Sequence, residues 1–261
     1  MCSIEVHSGE EVSDAVALAR EGRSATEVAR LTGIPRSTVR DWMRGTLPRT
    51  AATAVGSCVR CRAPEHDFAA LGAEYAYVLG MYLGDGCISA HPRGVFKLRL
   101  FLDVRYPAIV DECERAVRAL APQNRVNRLL RRGGYENSSE GSNVELSAYS
   151  RSWPCLFPQH GAGRKHERPI VLADWQRGLL AQHAEPLLRG LIHSDGCRFI
   201  NTGTGWRHPR YSFSNASDDI RRIFCDACDV LGLHWTIAPR TVYVSRKADV
   251  ARLDAFIGPK A

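Results

Sequence analysis

Two related strings decide the reading of this chain: "YVLGMYLGDG" (77–86) and "LLRGLIHSDG" (187–196). Each is an aliphatic helix pattern that stops at Asp-Gly. Aligned on Asp85 and Asp195, Gly80 falls on Gly190 and Gly84 on Ser194. Within each string the small residues are four apart and share one helix face, which lets two backbones approach inside the usual helix spacing. Two such faces in one chain predict that the helices pack on each other and end side by side, bringing Asp85 and Asp195 together. Carboxylates at helix C-termini meet the negative end of the dipole and repel each other. A hard divalent cation such as Mg²⁺ relieves that conflict, and carboxylates holding it over a phosphodiester make a hydrolytic site. Gly86 and Gly196 are expected to leave the helices in the left-handed conformation.

The flanking sequence repeats as well. "VFKLRLFLDV" alternates like a strand and leads into an amphipathic helix over 107–120. "RYSFSNASDDIRRIFCDACDVLGL" does the same after the second motif. Ile109, Ala116 and Leu120 match Ile220, Ala227 and Leu231. Further strand pairs lie around "RVNRLLRR" and "VELSAYSR", then "HWTIAPR" and "TVYVSRK", and the halves close with "WPCLF" and "DVARLDAFIG".

On these residues the chain resembles the LAGLIDADG (DOD-type) homing endonuclease family, in its monomeric two-motif form. The resemblance covers residues 72–258. It implies an α+β fold of two pseudo-symmetric ββαββα halves packed through their motif helices, with each sheet forming part of a saddle over double-stranded DNA. It also implies catalytic metal at Asp85 and Asp195. Members of the family carry a basic residue near the metal. Lys97 and Lys247 are the candidates here, although neither lies in a matching motif.

The N-terminal part reads differently. Ser24 and Glu27 form a capping box, Val28, Ala29 and Leu31 give the following helix an apolar face, and Gly33 ends it. Val39 and Trp42 share a face of a second helix, while Arg36, Arg40 and Arg44 recur every four residues on another. The pattern resembles the helix-turn-helix of resolvase- and repressor-type DNA-binding domains. Arg36, Ser37, Thr38 and Arg40 would face the major groove and Arg44 a phosphate. A helix-turn-helix ahead of a LAGLIDADG core also resembles bacterial regulators that bind DNA without cutting.

The expected organisation is a helix-turn-helix domain over 1–47, a linker over 48–71, a first repeat over 72–157, a basic inter-repeat linker over 158–178 and a second repeat over 179–258. In the first linker "CVRCRAPEH" offers Cys58, Cys61 and His66 as zinc ligands, without a local fourth. Cys225 and Cys228 lie in a strongly helical pattern and read as small buried hydrophobes. In the second linker Arg164, Lys165 and Arg168 are expected to grip DNA phosphate.

Formal net charge is +7 over 261 residues, which favours a polyanionic partner. Lysine occurs only at 97, 165, 247 and 260, so arginine carries most of the charge. No apolar run of about 18 residues is present, which argues against a membrane partner. Nine cysteines without a secretory signal fit a reduced, cytoplasmic, nucleoid-associated protein. The core is expected to be monomeric, and nothing in the sequence implies a protein partner. The functional expectation is Mg²⁺-dependent, site-specific DNA cleavage; the alternative is a non-cleaving transcriptional regulator on the same core.

Overall fold

The computed structural model describes residues 7, 9–43, 58, 61, 66–132 and 141–258. They form two compact units, one within residues 1–66 and one spanning 67–261.

In the first unit, helices α1 (Gly9–Arg20), α2 (Ala25–Thr32) and α3 (Arg36–Met43) surround a small core of Val12, Ala15, Val28, Ile34, Val39 and Trp42. The start of α2 is the capping box the sequence predicts: Ser24 Oγ accepts from the Glu27 amide, and the Glu27 carboxylate accepts from the Ser24 amide at 2.9 Å. These bonds hold the Glu27 carboxyl below its ordinary range. Gly33 ends α2 at φ 73°, a backbone conformation that favours glycine. Leu31 departs from expectation: it is half-exposed, whereas Val28 and Ile34 belong to the small core. Arg36, Ser37 and Arg40 are exposed along α3, Thr38 is half-buried, and Arg44 lies outside the described residues.

The second unit runs through α4 (Ala73–Asp85), β1 (Gly86–His91), β2 (Val95–Asp103), α5 (Pro107–Leu120), β3 (Val126–Arg132), β4 (Gly141–Ser150) and α6 (Trp153–Leu156). It continues with α7 (Asp174–Gln182), α8 (Ala184–Asp195), β5 (Gly196–Gly203), β6 (Trp206–Ser214), α9 (Asp218–Val230), β7 (Trp235–Ala238), β8 (Thr241–Val244) and α10 (Lys247–Ile257). The two halves repeat one topology: antiparallel four-stranded sheets of order β1-β2-β4-β3 and β5-β6-β8-β7. This is the two-repeat α+β architecture expected from the motifs.

Strand alternation gives each sheet one core face and one open face. On β2, buried Leu98, Leu100 and Leu102 alternate with Lys97, Arg99 and Phe101. On β6, buried Tyr211 and Phe213 alternate with Arg210 and Ser212. The core faces and the motif helices merge into one hydrophobic core spanning both halves. Cys225 and Cys228 belong to it, as their helical setting suggests. Burial pushes both thiols up, Cys225 to about 11.

Helix α7 begins inside the stretch read as linker. Its Gln176 is fully buried and accepts from the Ala173 amide at 2.8 Å, closing the first turn without an ordinary capping side chain.

Candidate functional site

Helices α4 and α8 meet through their small residues. A Cβ on Gly80 would lie 2.6 Å from the Leu187 carbonyl oxygen and 2.7 Å from the Leu191 nitrogen, and one on Gly190 would collide with the Tyr77 carbonyl oxygen. These obstacles are backbone atoms and cannot swing aside. At the helix ends a Cβ on Gly84 would collide with the Ser194 side chain and lie 3.1 Å from Asp195 Oδ2. The Asp195 carboxylate therefore reaches across to the residue preceding Asp85. Both aspartates are the last residues of their helices and are partly exposed.

Gly86 and Gly196 correct one expectation. Their φ values are −100° and −104°, extended rather than left-handed, and each begins a strand. Glycine is required for space: a Cβ would lie 2.6 Å from Tyr82 Cα in the first case and 2.5 Å from Ile192 Cα in the second. The strands fold back over the last helical turn more tightly than a side chain allows.

The surroundings of the pair are asymmetric. Asn215, just after β6, donates to Asp195 Oδ2 at 2.6 Å. Ser194 Oγ is placed 3.0 Å from both the Gly190 and Leu191 carbonyl oxygens. Lys165 enters at the end of α4. Its ammonium donates to the carbonyl oxygens of Tyr82, Leu83 and Gly84, the last two at 2.9 Å, and stands 4.9 Å from the Tyr82 ring centroid. Burial lowers its pKa to about 8, against the opposing pull of Asp195 and Asp85. The terminal carbonyls of a helix and nearby carboxylates are the environment a cation favours.

Lys165 is carried there by an anchored segment. Gln159 Nε2 donates to the Val171 carbonyl at 2.9 Å and to Gln176 Oε1 at 2.5 Å. Gln176 Nε2 donates to Tyr75 Oη at 2.6 Å, and Tyr75 donates to the Leu156 carbonyl at 2.5 Å. Arg168 donates to the Gln159 carbonyl. Of the three basic residues expected to grip phosphate, Lys165 and Arg168 thus turn inward, while Arg164 is exposed.

The other candidate lysines serve different contacts. Lys97 donates to Glu145 Oε1 at 2.8 Å, and Arg131 bonds the other oxygen of the same carboxylate at 2.6 Å. Glu145 is only 2% exposed. Burial raises its pKa, but Lys97 and Arg131 outweigh this and hold it below the ordinary value. Lys247 is the exposed first residue of α10. No sequence motif singles out Lys165 over these two, because it lies in a Gly-rich basic loop far from either motif.

Lys97, Arg99 and Arg131 share the open face of the first sheet with partly exposed Phe101, Leu129 and Tyr149. The second sheet presents Arg210, stacked 4.6 Å from the Tyr243 ring centroid, with His208 beside it on β6. In the first unit, the ligand atoms of Cys58, Cys61 and His66 lie within 4.8 Å of one another.

No family model matches the sequence, and no curated protein sequence matches it. Solved structures similar to the chain include the N-terminal LAGLIDADG domain of DUF199/WhiA, at 13% identity and TM-score 0.45, covering 82% of this chain and 92% of that one. Full-length DUF199/WhiA from Thermatoga maritima matches at 13% identity and TM-score 0.44, over 71% of this chain and 55% of that one. The homing endonuclease I-WcaI bound to its DNA recognition sequence matches at 13% identity and TM-score 0.45, over 72% and 81%.

Proposed function

We propose that the chain is a sequence-specific double-stranded DNA-binding protein whose core hydrolyses phosphodiester bonds at Asp85 and Asp195. The observation that carries the reading is the approach of Asp195 Oδ2 to within 3.1 Å of a Cβ position on Gly84, next to Asp85. The donor set suits a hard divalent cation: two partly exposed carboxylates at abutting helix ends, in surroundings that already draw in one ammonium group. When bound, Mg²⁺ or a similar ion supplies an activated water and charge neutralisation at the phosphate.

The chain's own residues divide the remaining work. Asp85 and Asp195 hold the ion, and Asn215 orients the second carboxylate. Lys165 contributes fixed positive charge, a role better served by its position than by Lys97 or Lys247. The open sheet faces, with Lys97, Arg99, Arg131 and Arg210, engage the duplex. Helices α2 and α3 act as a helix-turn-helix that reads base edges through Arg36, Ser37, Thr38 and Arg40, with Arg44 on phosphate.

One observation favours the second reading, a regulator that binds without cutting. The Lys165 ammonium already stands at the end of α4, bonded to the Leu83 and Gly84 carbonyls next to Asp85, and positive charge there reduces the demand for metal. A library of duplex sites incubated with the protein, with and without Mg²⁺, separates the readings when bound and nicked fragments are scored apart. Cleavage predicts Mg²⁺-dependent breaks that disappear in Asp85→Asn while binding persists. Bound fragments that stay intact with Mg²⁺ select the regulator. Binding that does not weaken with salt counts against both, because phosphate contacts release counterions.

A further inference from the structure

Between the N-terminal helices and the two-repeat core, the sequence "TLPRTAATAVGSCVRCRAPEH" (46–66) has few large apolar residues. A segment of that composition offers little hydrophobic surface for burial. Yet it contains Cys58, Cys61 and His66 in a Cys-x₂-Cys-x₄-His spacing, and its Cys61 is only 5% exposed.

The three ligand atoms converge. Cys61 Sγ lies 3.1 Å from His66 Nε2, and all three atoms fall within 4.8 Å of one another. Zinc bonds of about 2.3 Å to sulfur and 2.0–2.1 Å to nitrogen, at tetrahedral angles, separate ligand atoms by about 3.6–3.8 Å. A separation of 3.1 Å and an outer limit of 4.8 Å are compatible with that value, so modest side-chain rotation sets these three ligands around one ion. Cys58 is half-buried and Cys61 buried. Two thiolates and an imidazole select a borderline-soft ion over Mg²⁺ or Ca²⁺.

We propose that Cys58, Cys61 and His66 bind a structural zinc ion, with a fourth ligand completing the tetrahedron. This site is chemically separate from the carboxylate pair. Its oxygen-free donor set means that zinc here and Mg²⁺ at Asp85 and Asp195 can be removed independently.

The test uses the full chain, purified under reducing conditions without added metal. Elemental analysis is expected to find one zinc per chain, lost in Cys58→Ser and Cys61→Ser and kept in Cys197→Ser, whose exposed thiol lies on the second sheet. Cobalt exchanged into the wild-type chain should give tetrahedral visible bands with thiolate-to-metal charge transfer, whose intensity counts the thiolates; two or more support the site. Cys58→His preserves a ligand and should retain zinc, which separates lost binding from failed folding. A metal-free wild-type chain, zinc that persists in the Cys58→Ser/Cys61→Ser double variant, or a Cys58–Cys61 disulfide in the reduced preparation overturns the proposal. DNA binding and cleavage are not read here, so neither result bears on the function proposed above.

Discussion

The two motif helices end in the same Asp-Gly and are finished by different means. At the end of α8, Ser194 returns its own hydroxyl to the Gly190 and Leu191 carbonyls, and Asn215 holds the aspartate. At the end of α4, position 84 is glycine, and the carbonyls are capped from outside by Lys165. Gly84 has no side chain to spare because Ser194 occupies the space where its Cβ would be. The serine of one repeat therefore creates the need for glycine in the other, and the segment joining the repeats supplies the missing cap. Backbone pseudo-symmetry survives where two helices must touch, while the polar finish has diverged.

The contact between the helices should give the largest effect on breaking. A methyl group at Gly190 meets the Tyr77 carbonyl and main-chain atoms of Gly80 and Met81. Overpacking of this kind costs about 1–3 kcal/mol and more where the neighbours cannot move. Gly190→Ala is expected to lie at the upper end, about 3 kcal/mol, read as a lower urea midpoint for the core transition. A neutral result would mean that the helices pack less closely than described.

Removing the external cap should have a smaller effect. Lys165→Met leaves terminal carbonyls of α4 without their cation while relieving the burial of a charge. The opposed terms leave a net loss of about 1–2 kcal/mol. The carboxylates also lose their fixed positive neighbour, so calorimetry should show Mg²⁺ binding tightening by about tenfold, the equivalent of about 1.4 kcal/mol. Ser194→Ala removes the internal cap of α8 and should leave Mg²⁺ affinity unchanged. Equal metal affinity in both variants would show that Lys165 does not act on the aspartates.

The sheets differ in the same spirit. The first buries Glu145 between Lys97 and Arg131, whereas the second stacks Arg210 on Tyr243. Because the folded state holds Glu145 below its ordinary pKa, its contribution is present above the unfolded carboxylate value and is lost as pH falls through the folded value. Glu145→Gln should cost about 1–2 kcal/mol at neutral pH, since Arg131 is half-exposed and partly screened. The difference from wild type should shrink on acidification below the ordinary carboxylate range. A gap that stays constant down to acid would remove the ion pair from the account.

How much of this the sequence discloses depends on whether a residue acts through periodicity. Gly80, Gly84, Gly190 and Ser194 recur at helical spacing beside matched aspartates, so the helix pairing is legible, and the helix over 107–120 follows from its apolar stripe. Gly86 and Gly196 are legible as glycines but not in their reason, because crowding by Tyr82 and Ile192 arises only once β1 and β5 fold back. Lys165 is legible only as charge in a basic run. Its role depends on the buried contacts among Gln159, Gln176 and Tyr75, and polar residues scattered over a hundred positions carry no period. Helix α7 escapes for a related reason: it is short, contains Gly178 and begins without an ordinary N-cap side chain.

That helix supplies the smallest prediction and a control for the largest. Within the second unit a 3₁₀ turn, Phe68–Ala70, stands directly before α4, whereas α7 stands directly before α8. Gly178 sits in the middle of α7 and does not adopt positive φ. A Cβ there would meet no neighbouring atom within 4 Å. Packing therefore gives no reason for glycine at this position. Gly178→Ala should stabilise the core by about 0.5–1 kcal/mol, through helix propensity and a less flexible unfolded chain. The same substitution is thus expected to have opposite signs at two glycines twelve residues apart, because one faces open space and the other a neighbouring backbone. Should Gly178→Ala destabilise the chain in the same urea titration, steric contact alone would not account for which glycines the helices tolerate losing.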